Sequence, residues 1–140
     1  MKGAVTAAFG YLFNGARRVL RGPGHHMVTN QIARKYDWSD AALQIFDAPI
    51  SEGGGRIPVL DHNYGGGYSQ YNKQLDSFTD SYLKTLKEST GVEPKNFAAQ
   101  HARDYNKDIN KQPYLRDFNR RQYVRGVFWH MRRSVPKGSD

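Results

Sequence analysis

Apolar positions along the chain mark its elements with unequal clarity. The clearest run follows Ser69, where Tyr71, Leu75, Phe78, Tyr82 and Leu86 recur at spacings of four, three, four and four. That period lines one face of a helix running to Glu88, which Ser69 can cap. Residues 3 to 20 repeat the pattern with Val5, Phe9, Leu12, Phe13, Ala16 and Leu20, and Gly22-Pro23-Gly24 stops it. His25 to Thr29 is a short strand candidate, and Ser39 looks like the N-cap of a short helix through Ile45 and Phe46. Pro49 to Gly55 reads as a loop. Ile57, Val59 and Leu60 make a second strand ending at Asp61-His62-Asn63, and Gly65-Gly66-Gly67 turns the chain into the long helix. Two more helices follow, one opening at Pro94 and running to about Ile109, the other from Tyr114 to about Arg133. No internal repeat or heptad is present, and the pattern predicts an α+β chain that is mostly helical.

Length sharpens this to one domain. The 140 residues suffice for a single core, so residues 1–23 read as a helical lead and 24–140 as the domain proper. The longest nearly uncharged N-terminal run, Gly3 to Ala16, is too short to cross a bilayer and lacks the layout of a signal peptide. Membrane insertion is therefore not expected, and export would depend on something outside this sequence.

Charge points to a polyanionic partner. The 21 Lys and Arg exceed the 13 Asp and Glu, for a formal charge of +8, which favours nucleic acid or an acidic protein. Residues 113–140 hold seven basic residues (Arg116, Arg120, Arg121, Arg125, Arg132, Arg133 and Lys137) against Asp117 and Asp140, so this tail carries +5 of the total. Tyr114, Phe118, Tyr123, Phe128 and Trp129 lie between them. The mixture suits a surface that grips phosphates and stacks on bases, with Arg116, Arg120 and Arg121 as the candidate contacts. It equally suits an ordinary basic amphipathic helix.

With no cysteine, thiol catalysis, disulfides and Cys-based zinc sites are excluded. Chemistry falls to the five histidines, His25, His26, His62, His101 and His130. Adjacent residues on an extended segment point to opposite sides, so His25 and His26 cannot share one ligand face unless the strand bends or ends there. That suits a division of labour in which one imidazole binds a metal and its neighbour is a base. His101 and His130 sit on predicted helices and read as structural. The Gly65-Gly66-Gly67 run lacks the lysine and spacing of a phosphate-binding loop.

Gly24-His25-His26-Met27-Val28, the strand-end Asp61-His62-Asn63, the glycine-rich turn and Tyr68-Ser69-Gln70-Tyr71-Asn72 opening the long helix together resemble the HNH/Endonuclease VII superfamily. These are the ββα-metal nucleases, and the likeness is to its toxin families with a Gly-His-His signature. It covers residues 24 to about 90. It implies a small ββα-metal core, with His25 as a metal ligand, His26 as general base, and His62 and Asn72 as further ligands. Related toxins often carry another histidine at the start of the helix, where this chain has Tyr68 or Ser69. Residues Gly3 to Asn14 resemble the stretch where Rhs-type polymorphic toxins pass into their variable C-terminal toxin.

The resemblance implies a metal-dependent endonuclease toxin that hydrolyses DNA after delivery as a secreted effector into the cytoplasm of target bacteria. A neutral imidazole takes a proton from water, and one divalent ion offsets the charge that develops on the phosphate. Histidine, asparagine and carboxylate ligands admit Mg, Mn, Zn or Ni. Asp61 either orients a ligand imidazole or caps the turn. An acidic cognate immunity protein is the expected inhibitor. The alternatives are a non-catalytic nucleic-acid-binding module, an RNase of the same fold, and a membrane-active toxin, which no sufficiently apolar amphipathic run supports.

Overall fold

A computed structural model describes residues 20–58 and 67–134, with residues 125–134 as backbone only. The lead helix assigned to residues 3 to 20, the end of the second strand and His62 lie outside the described residues, apart from Leu20.

The described chain is mostly helical with a small two-stranded antiparallel sheet. Strand β1 (His25–His26) pairs with β2 (Arg56–Ile57), setting His25 opposite Ile57 and His26 opposite Arg56. Between them lie α1 (Asn30–Lys35), α2 (Asp40–Asp47) and a 3-10 turn at Ile50–Glu52. After β2 come α3 (Tyr68–Thr90), a second 3-10 turn (Pro94–Asn96), α4 (Ala99–Ile109) and α5 (Pro113–Ser134). Helix α2 packs on α4, α3 packs on α5 and α1, and α5 also covers β2.

The core centres on Trp38. Its ring meets Phe46 and Phe97 edge-on, at centroid distances of 4.9 and 5.3 Å, and stacks on Tyr105 at 5.5 Å. Aromatic pairs at such distances add roughly 0.5–1.5 kcal/mol each beyond the area they bury. Trp38 Nε1–H donates to the Ile32 carbonyl at 3.0 Å, so the buried indole leaves no donor unpaired. Along α3 the fully covered positions are Tyr71, Leu75, Thr79 and Leu83, while Phe78, Tyr82 and Leu86 pack at the margin of the core. The buried Thr79 is tolerated because its hydroxyl is hydrogen-bonded to that of Tyr105.

Three local expectations change. Helix α3 begins after Gly67, with no side-chain cap, rather than on Ser69, and this makes Tyr68 its first residue. The helix expected from Pro94 is a 3-10 turn followed by a separate helix. There the Pro94 carbonyl accepts from both Ser39 N–H at 3.0 Å and Phe97 N–H at 3.2 Å, the Phe97 carbonyl accepts from Ser39 Oγ at 2.7 Å, and Phe97 and Ala98 leave helical backbone at ψ 128° and 168°. Ser39 still caps α2 as expected, accepting from Ala42 N–H at 3.1 Å. Finally, α1 fills a stretch for which the apolar pattern predicted nothing.

Candidate active site

Only two residues long, the hairpin is held in place by its flanks. Met27 N–H donates to Gly55 O at 2.9 Å and Arg56 N–H to Ala48 O at 2.9 Å. The second bond brings the chain so close that a Cβ on Gly54 would lie 2.2 Å from Ala48 O, which only glycine avoids. Gly24, at φ 116°, turns the chain into β1 through a conformation that other residues rarely adopt. Residues opposite one another on a hairpin share a face. His25 and Ile57 therefore lie on one side, and His26 and Arg56 on the other.

On one side the His25 ring is enclosed. His25 is fully buried, its ring 5.5–5.6 Å from those of Tyr68, Tyr71 and Phe118. Its Nε2 lies 2.7 Å from Asn119 Oδ1. A carboxamide oxygen only accepts, so Nε2 carries a proton and donates. The Tyr68 hydroxyl meets Nδ1 at 2.8 Å. Asn119 Nδ2 donates on to Asn110 Oδ1 at 2.9 Å, and Asn110 Nδ2 to the Met27 sulfur at 3.3 Å. For either nitrogen of His25 to meet a metal, its present partner has to give way.

The His26 side is open at its edge. His26 Nε2 lies 2.7 Å from Asp47 Oδ1, with side-chain exposures of 10% and 19%. The same carboxylate oxygen accepts from Gly22 N–H at 2.8 Å. Burial pushes the Asp47 carboxyl up, but the hydrogen bond to His26, backbone N–H groups of Gly22 and Arg21 and the charge of His26 outweigh it and hold the carboxyl below its ordinary value. Arg56 lies beside the pair. Its Nε donates to Asp47 O at 2.8 Å and its Nη1 to Pro23 O at 2.9 Å. Backbone carbonyls fix the guanidinium without neutralising it, and among the described residues no carboxylate pairs with it.

The remaining candidates are spread out. Asn72, on α3, accepts from the Thr29 hydroxyl through Oδ1 and so ties that helix to the exit of the hairpin. Arg116 and Arg120 border a cavity on the His25 side. Arg121 lies over the Phe118 ring, 5.6 Å from its centroid. His101 Nδ1 accepts from Ala98 N–H at 2.9 Å at the start of α4. Among the described residues no three His, Asp or Glu side chains converge as a metal-ligand set.

Asp47, Arg56 and Asn119 were not singled out by the sequence, and Tyr68 was named only as standing where related toxins carry a histidine. One signal pointed to Asp47: an acidic side chain at the last position of a helix opposes the helix dipole. Such local conflicts are expected at functional positions.

The chain matches no known family model, curated protein or solved structure.

Proposed function

We propose that this chain is an endonuclease in which His26, oriented by Asp47, is the general base. The observation that carries the reading is the 2.7 Å contact between a slightly exposed imidazole and a partly buried carboxylate. A carboxylate so placed fixes the tautomer and orientation of the ring and stabilises the imidazolium that forms. Nδ1, which has no hydrogen-bond partner among the described residues, takes the proton from a water molecule as the water oxygen attacks phosphorus and the bond from phosphorus to a sugar oxygen breaks, that oxygen leaving with a proton from solvent. Arg56 supplies fixed positive charge beside the base, where the phosphoryl oxygens become more negative.

The wider reading rests on the resemblance of Gly24-His25-His26 to the toxin nucleases. It comprises a ββα-metal core formed by the hairpin and α3, DNA as substrate, delivery into target bacteria and neutralisation by an acidic immunity protein. A divalent ion belongs to it through that resemblance alone, and in these enzymes it offsets phosphate charge. The described residues do not assemble its ligand set, so no step is assigned to it.

The test is to incubate the purified chain with plasmid DNA and total RNA, with several divalent metals and with EDTA. Cleavage of plasmid that disappears in His26→Ala supports the proposal, and loss in EDTA adds the metal. Cleavage of RNA alone moves the substrate. Binding without cleavage under every condition refutes it in favour of a non-catalytic nucleic-acid-binding module.

A further inference from the structure

Between the described part of α5 and the hairpin lies a cavity of about 420 Å³, within the usual range for small-ligand sites. Met27, Ile50 and Ile57 give it an apolar floor, and the first α5 turns supply Arg116, Asn119, Arg120 and Tyr123. These four recur at spacings of three, one and three, which puts them on one helix face. Tyr123 is 48% exposed, unusual for a large ring with an apolar floor beside it. Arg120 has no acidic partner among the described residues, and Arg116 has only its neighbour Asp117, at 3.1 Å on the exposed surface. Asn110 completes the lining, with one of its amide hydrogens spent on the Met27 sulfur, a weak acceptor.

We propose that this cavity is a nucleotide subsite distinct from the His26–Asp47 pair. The phosphate lies between Arg116 and Arg120, and the base lies over Met27 and Ile57 with Tyr123 against it. Asn110 turns its amide from the sulfur to an acceptor on the edge of the base, which every base carries. The site therefore takes a nucleoside monophosphate without selecting its base. Guanidinium groups four residues apart on a helix match a phosphate in charge and reach, while an exposed aromatic ring stacks on any base. The choice of ligand rests on the nucleic-acid reading above, but the site is on the opposite face of the hairpin from the proposed base.

Calorimetric titration of the full chain with dTMP, dGMP, dAMP and inorganic phosphate at low salt tests this without any cleavage step. The expected result is similar affinity for the three nucleotides, each bound more tightly than phosphate alone. The double variant Arg116→Gln, Arg120→Gln should weaken nucleotide binding about ten- to hundred-fold, and Tyr123→Ala about ten-fold. Both change surface residues, and an unaltered circular dichroism melt separates loss of the site from loss of the fold. Equal affinity for phosphate and nucleotide, or no binding in the folded chain, overturns the proposal. A chain that binds as described but cuts no nucleic acid keeps the subsite and sinks the nuclease reading.

Discussion

His25 and His26 are neighbours in sequence with opposite surroundings. On one face of the hairpin an imidazole is enclosed by three aromatic rings, with both nitrogens committed to side chains from α3 and α5. On the other an imidazole rests one nitrogen on a carboxylate at the edge of solvent. A two-residue strand is enough to produce this, because side chains alternate across it. A pair of identical residues thus becomes one group that holds helices together and one that is available for chemistry. The motif resemblance assigns the two different roles, but it does not reveal the surroundings that separate them.

The contrast breaks first at His26. His26→Ala should lower cleavage by roughly two to four orders of magnitude, the usual worth of a positioned base, with an unchanged thermal melt. Full activity in the folded variant would remove the base from the scheme. At His25 the expectation is reversed. His25→Ala leaves a cavity and strands Asn119, so unfolding should become easier by about 3 kcal/mol, read by denaturant titration. A calorimetric metal titration of the same protein sharpens the comparison: a folded His25→Ala chain with weakened metal affinity would show that the enclosed imidazole opens to serve as a ligand.

Asp47 gives a smaller, pH-dependent effect. Its carboxyl is held below the ordinary value of 3.8 in the folded chain. Folding stability from this group is therefore fully present above that value and is lost as pH falls towards the lower folded value. Asp47→Asn should flatten the acid limb of stability measured between about pH 5 and 2, and should slow cleavage less than His26→Ala does. An unchanged acid limb would mean that the carboxylate is equally solvated in both states. The least disruptive changes are on α5. Replacing Arg116, Arg120 and Arg121 with alanine should weaken DNA binding and flatten its salt dependence by up to about one unit of slope per phosphate contact. Arg121, engaged with the Phe118 ring, should contribute least; an equal share from all three would place the DNA across the whole helix face.

What was legible in the sequence follows from how locally each feature is determined. Helix α3 announced itself because a long amphipathic run repeats its signal many times. The cap at Ser39 and the alternation of His25 and His26 were legible because each depends on residues within a few positions. Helix α1, six residues long, offers too few turns for a period to emerge. The break after Pro94 is accompanied by contacts from Ser39, far back in the chain, which donates to the carbonyls of Pro94 and Phe97. The partners of the two histidines were hidden for the same reason: Asp47 is 21 residues from His26, and Asn119 is 94 from His25. A motif records which side chains are present, and only the folded chain decides which of them meet.

The backbone just upstream of the motif bears on where this domain can be trimmed. Gly22 lends its amide to the Asp47 carboxylate, and Pro23 lends its carbonyl to Arg56. A polypeptide begun at His25 would retain Asp47, Arg56, both histidines and every described helix, yet lack the two peptide groups that set the angle of the carboxylate and the guanidinium. Under the proposed reading, such a protein would keep its helices by circular dichroism and cleave poorly. Leu20, buried in the same core, marks a safer place to begin.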